Sequence, residues 1–246
     1  MSNILKTRGI VLRTFPFKES SLFCSIFTER FGKLKLIAKG ARRPKSKLCG
    51  TLEPLTLSEI IFYKREAKDI YTLSDAVVID DFSRIKISQS KFTVCEAICE
   101  FVDKTAVLEE PNRQLYEEIL GFFKKISTTE DKIAGWGALL MLFRLLKFAG
   151  VEPHLNDCVR CHKPIFDKTI LNFSVFAGGI VCEEHFDESV IKMDKEVIKT
   201  IINAKDNISP LEINPAVFPL LKNLLESYIF YHLNGTTLNT LRFIKY

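Results

Sequence analysis

The chain has 246 residues, 47% of them apolar, enough to bury one or two ordinary cores without covalent staples. Its seven cysteines are odd in number and irregular in spacing, and no basic-then-apolar layout follows Met1, so neither a disulfide framework nor a secretory signal is expected, and a cytoplasmic setting is. The formal charge of +5 is unevenly spread: residues 1–50 hold 12 Lys and Arg against two acids, leaving 23 against 28 for the rest, and such segregation points to a polyanionic partner for one end.

From Leu5 to Ile79 short runs rich in Ile, Val, Phe, Thr and Tyr alternate with polar turns, the pattern of strands. They are expected near residues 5–14, 20–28, 33–39, 52–63 and 70–79, with Glu29-Arg30-Phe31-Gly32 as a hairpin turn in which Gly32 takes positive φ. Five short strands without the helical crossover that parallel strands require predict a closed or partly closed antiparallel barrel of the OB type.

Within this region the eight cations Arg30, Lys33, Lys35, Lys39, Arg42, Arg43, Lys45 and Lys47 occur without one acid between them. Strand alternation puts Lys33, Lys35 and Lys39 on one face and turns Leu34, Leu36 and Ala38 inward. The strip runs on into Gly40-Ala41-Arg42-Arg43-Pro44-Lys45-Ser46-Lys47, a turn-rich loop whose cations suit phosphate oxygens. Lysines on an edge strand also discourage aggregation, but eight uncompensated cations exceed that need. Of the neighbouring aromatics Phe15, Phe17, Phe31 and Tyr63, which could stack on bases, Phe15 and Phe31 read as core and Phe17 as loop-exposed.

After Asp80 the period changes to that of helices, over 88–108, 113–125 and 133–149. The last is apolar on both sides, with Trp136, Leu139, Leu140, Phe143 and Leu146 opposite Met141, Leu142, Leu145 and Phe148, and is expected at a bundle centre. Arg144 and Lys147 interrupt it, so it is no membrane span. A loop-rich segment follows to Glu188, then helices over 189–204 and 215–233 with Asn214 as N-cap and Asn234-Gly235 as stop. The fold expected is α+β: an OB-type barrel over residues 1–80, then an α-helical domain over 81–246 with a zinc-binding loop module inserted at 152–188.

The module rests on Cys158, Cys161, Cys182 and His185, a C-x2-C-x20-C-x2-H pattern. A two-residue gap lets both side chains of a pair reach one ion, and four such ligands fill the tetrahedron of one structural Zn2+ with no open position for chemistry. Gly178-Gly179 supplies a tight bend before Cys182. His162 beside Cys161 ranks below His185 as a ligand. Cys95 and Cys99, four apart on a helix with no further ligand, read as core.

In this order, Phe17-Lys18-Glu19-Ser20-Ser21-Leu22, Ile26 to Lys33, Ala38-Lys39-Gly40-Ala41-Arg42-Arg43, Leu52-Glu53-Pro54-Leu55-Thr56 and the paired Cys positions make the chain resemble the RecO family of bacterial recombination mediators over its whole length. The resemblance implies a non-enzymatic DNA repair protein, nucleoid-associated and monomeric alone. It would bind single- and double-stranded DNA, anneal complementary strands, associate with RecR, contact the acidic C-terminal tail of single-strand-binding protein and assist RecA loading. It places Lys39, Arg42 and Arg43 on the DNA-binding surface; His185 departs from the fourth Cys that is usual. Arg144 and Lys147 are weighed as a receptor for the acidic tail against an ordinary solvated stripe. A zinc deaminase would need an open metal position with H-x-E and P-C-x-x-C patterns, and neither occurs. The other function class carried is a zinc-stapled protein-docking module without direct DNA binding.

Overall fold

In the computed structural model, which describes residues 2–65, 68–165, 167–204 and 215–245, the chain is α+β: a strand-rich N-terminal region is followed by a helical one. Two compact units result, Met1–Thr129 and Glu130–Tyr246.

In the first unit β1 (Ser2–Phe17), β2 (Ser21–Thr28), β3 (Gly32–Ala38), β4 (Leu57–Arg65) and β5 (Ile70–Asp80) close a barrel in the order β1-β2-β3-β5-β4. Alternation drives it: Cys24, Ile26, Leu34, Leu36, Ile60, Phe62, Tyr71 and Leu73 all face one buried cluster. Gly32 takes φ +63 at the β2–β3 turn, as its sequence context requires. Two expectations are corrected. The barrel is not wholly antiparallel, because β3 and β5 pair in parallel; the chain reaches β5 through the intervening strand β4, so no helical crossover is needed. Residues 52–56 are a turn rather than strand, held where Leu55 at φ +61 donates its N–H to the Val11 carbonyl.

The helices α1 (Ser83–Lys86), α2 (Gln89–Thr105) and α3 (Arg113–Thr128) belong by packing to this first unit, so the division into compact units falls well beyond the end of the barrel at residue 80. Ser88 and Asn112 cap α2 and α3 by accepting the N–H of Lys91 and Leu115. Phe82 meets Phe123 edge to face at 5.5 Å. Cys95 and Cys99 are buried in α2, and desolvation pushes both thiols well above their usual range, in keeping with core packing.

In the second unit α4 (Ala134–Leu145) is buried on almost every face and packs against α5 (Lys195–Ala204) and α6 (Val217–His232), with Trp136 edge-on to Phe218 at 5.1 Å. The segment expected as loops carries a small antiparallel sheet of β6 (Ile170–Ser174), β7 (Gly179–Val181) and β8 (Val190–Asp194), ordered β7-β6-β8. Residues 190–194, expected to begin a helix, are therefore a strand; α5 starts only at Lys195, where β8 stops pairing with β6. Asn234 and Gly235 adopt positive φ after α6, the expected stop; the proposed cap Asn214 lies outside the described residues. No described helix is long and apolar enough to cross a membrane.

Candidate metal cluster and basic loop

The four expected ligands come together. Cys158 and Cys161 lie on one turn, Cys182 directly follows β7, and His185 ends a 3-10 turn, Glu183–His185. The turns are positioned by backbone: Val159 donates to the Ile180 carbonyl at 2.8 Å, and His162, at φ +57, donates its N–H back to Cys158 O at 2.8 Å, which closes the knuckle. Gly178 sits at φ +82, and a Cβ on Gly179 would lie 2.2 Å from the His154 carbonyl, so the bend before Cys182 needs both glycines.

Cys158 Sγ and Cys161 Sγ stand 3.8 Å from His185 Nδ1 and Cys182 Sγ respectively, and Cys182 Sγ stands 3.2 Å from His185 Nδ1. Metal–ligand bonds near 2.3 Å to sulfur and 2.0 Å to nitrogen set tetrahedral edges of roughly 3.5–3.8 Å, so the donor set fits one zinc ion within a few tenths of an ångström. Burial would raise the Cys158 thiol, but N–H groups aimed at its sulfur, led by that of Cys182 at 3.4 Å, outweigh this and bring it down to about 6. A thiol so placed gives up its proton more readily, as binding a metal requires. His162 does not compete: its Nδ1 faces Asp157 Oδ1 at 3.2 Å, and His154 Nε2 faces the same oxygen at 2.6 Å.

The basic loop after β3 is anchored from beneath and open above. Ala41, Leu48 and Leu52 insert into the barrel core, whereas Lys39, Arg42, Arg43, Lys45 and Lys47 are exposed. The Arg42 N–H and the Arg42 guanidinium bond the carbonyls of Ser20 and Glu19 at 2.9 and 3.2 Å, tying the loop to the β1–β2 turn. Among the described residues, no carboxylate lies within ion-pair distance of Lys35, Lys39, Arg42, Arg43, Lys45 or Lys47. Their fields are left unneutralised and face water.

Lys33 does not join them, and its place on an open charged face is corrected. It is 8% exposed, its Nζ donates to the Asp103 carbonyl at 2.6 Å, and burial lowers its pKa. The cause is the chain after α2: Glu109 donates to Lys33 O, Leu108 bridges to Lys33, and a Cβ on Gly32 would lie 2.1 Å from Glu110 O. Arg30 is exposed on the hairpin at the opposite end of β3 from Lys39, roughly 25 Å away along an extended strand. We expect Lys33→Glu to cost about 3 kcal/mol or more, since it buries a second acid beside Asp103, and Lys33→Met to leave DNA affinity unchanged; chemical denaturation and a binding titration check both.

Phe31 packs on the barrel core, edge-on to Phe62 at 5.6 Å, as its sequence suggests. Phe15 does not: it is 38% exposed on the outer face of β1. A β-bulge between Val11 and Arg13 reverses the alternation, so residues in step with buried Val11 turn outward beyond it. Arg13 and Phe23 share that face and were not singled out by sequence; a bulge leaves no mark in the sequence that would have revealed them.

Residues 1–82 match the family described as "Recombination protein O N terminal" and residues 89–242 the one described as "Recombination protein O C terminal". Relatives named "DNA repair protein RecO" include those of Alkaliphilus metalliredigens, 27% identical over 98% of this chain and 99% of the relative, and Caldicellulosiruptor saccharolyticus, 30% identical over 92% and 91%. That of Chlorobium phaeobacteroides is 29% identical over 94% and 93%.

Proposed function

Because the chain belongs to the RecO family of DNA repair proteins, we propose that it is a non-enzymatic recombination mediator that binds single- and double-stranded DNA and anneals complementary strands. The supporting observation is the loop of exposed cations Lys39 to Lys47, none of them paired with the chain's own carboxylates among the described residues. Annealing needs no nucleophile or general base, only a surface that screens the repulsion of two polyanions while their bases pair. Lys35 extends this surface along β3, and Arg30 is a separate contact at the hairpin.

In this reading Cys158, Cys161, Cys182 and His185 hold one structural Zn2+. Bound zinc supplies a cross-link, and these residues fix two turns and the edge of the β6–β8 sheet. The protein acts in the cytoplasm at the nucleoid, as a monomer until it meets RecR, and helps RecA replace single-strand-binding protein. For that protein's acidic C-terminal tail we favour, over Arg144 and Lys147, a groove of about 490 Å3 beside α6, lined by Phe218 and Ile244 and by the three cations Lys222, Arg242 and Lys245 against one acid, Glu226.

The test is annealing of complementary oligonucleotides coated with single-strand-binding protein, without ATP. Annealing well above the rate without this protein is expected; a rate equal to that of the coated strands alone would reject the reading.

A further inference from the structure

The outer face of β1–β2–β3 carries rows of side chains set by register. Arg13 lies opposite Ser25 and Ser25 opposite Lys35; the next row is Phe15, Phe23 and Ile37. The first row is partly roofed by α2, because Ser25 Oγ bonds Asp103 at 2.5 Å and Arg13 reaches the same carboxylate at 3.5 Å. The second row is open enough to leave Phe15 38% exposed.

Phe15 and Phe23 stack, with ring centroids 4.7 Å apart and planes 21° from parallel. The Arg13 guanidinium sits 5.2 Å from the Phe15 centroid, and Lys18 sits 5.6 Å from that of Phe17. The barrel does not need these rings for its core, which is filled by Phe62, Tyr71 and the aliphatic side chains of the inward face. Phe15 is exposed and Phe23 half-buried, so the pair presents apolar surface to water that a ligand could cover.

What covers them is indicated by the charge around them. The basic loop is tied to Glu19 and Ser20, in the turn that joins Phe17 to Ser21, so its cations border the ring row on the β1–β2 side. Lys39, exposed, directly follows the end of β3 at Ala38, two residues beyond Ile37. Rings beside phosphate-binding cations match an unpaired nucleotide strand, whose bases present free π-faces; in a duplex those faces are already stacked on one another.

We propose that Phe15 and Phe23, with Ile37, form a stacking platform for bases of single-stranded nucleic acid whose phosphates lie along the Lys39–Lys47 loop. The platform gives the protein its preference for single strands over duplex; it rests on the DNA-binding reading above. During annealing, bases leave the rings as they find their complement, so the platform holds single strands and releases the paired product.

The test compares affinity for a 20-nucleotide oligothymidine and a 20-base-pair duplex by fluorescence anisotropy. Phe15→Ala and Phe15→Leu should each weaken the single strand about tenfold or more while changing the duplex less than twofold; Leu keeps the apolar bulk and removes only the ring. In Phe15→Trp, the added indole emission should be quenched by the oligothymidine and not by the duplex. Single-strand affinity within twofold of wild type in both truncations, equal loss on both DNAs, or no strand-selective quenching would each overturn the platform. Should the wild type bind neither DNA, the broader DNA reading fails instead, so the two failures are distinct.

Discussion

Reversing the charge of Lys39, Arg42, Arg43 and Lys45 to Glu together is expected to weaken DNA binding by about a thousandfold or more. Each lost contact from a charged donor to a phosphate oxygen is worth about 1 kcal/mol or more, and four introduced acids add repulsion. Stability should change little. All four side chains are exposed, and the loop keeps its shape through the buried Ala41, Leu48 and Leu52 and through backbone bonds from Arg42 to Ser20 and from Ser46 to Arg43. Lys33→Glu should show the reverse pattern, a loss of stability without a comparable loss of the loop's phosphate contacts. An exchange of these two outcomes would mean that the charged surface lies at the Lys33 end of the strand.

Removing the zinc proposed for the Cys/His cluster is the other large perturbation. With three thiols and an imidazole converging on one point, a cluster without metal leaves the turns at Cys158 and Cys182 joined by weaker links such as the backbone bond from Val159 to Ile180 and the exposed Lys163–Glu184 ion pair. Chelation, or Cys182→Ser, is expected to destabilise the module by about 5 kcal/mol or more and to open residues between Cys158 and His185 to proteolysis. Metal content should fall from one zinc per chain to none. Cys49→Ser, at an exposed cysteine outside the cluster, should retain a full equivalent. Undiminished zinc in Cys182→Ser would remove that residue from the ligand set. DNA affinity should change far less than stability, because the basic loop belongs to the unit Met1–Thr129.

How far the sequence could be read follows from the range of the interactions involved. The convergence of Cys158, Cys161, Cys182 and His185 was legible because a two-residue gap lets both side chains of each pair turn toward one point. Gly32 was legible because a hairpin needs positive φ locally, whatever lies elsewhere. The burial of Lys33 was not. Alternation says which way a strand side chain points, and Lys33 does point outward; only the fold brings Asp103 and Leu108, some 70 residues away in sequence, over it. Phe15 failed for a different reason. Its apolar ring reads as core, but the bulged residue between Val11 and Arg13 turns Phe15 to the outer face of β1. The strands β6 and β8 escaped because they are five residues each, and Val190, Ile191 and Met193 satisfy a helical as well as an extended spacing until β6 supplies the partner.

The parallel β3–β5 pair has a related explanation. Sequence neighbours suggested hairpins throughout, yet β4 pairs with both β1 and β5, and closing the ring then leaves β5 beside β3. Closure decides that pairing, and closure is a property of the whole barrel rather than of any one segment. The β2–β3 pairing, by contrast, is fixed locally by the turn at Gly32, which sets Ile37 next to Phe23 and leads the chain out into the loop of cations.

The account stands on cations that meet phosphate oxygens directly, and salt is the most direct probe of that contact. Affinity for a single strand, titrated against sodium chloride, should fall with a log–log slope of roughly −3 to −4, the release expected when four to six phosphates are neutralised. A slope near zero, with binding intact, would contradict it.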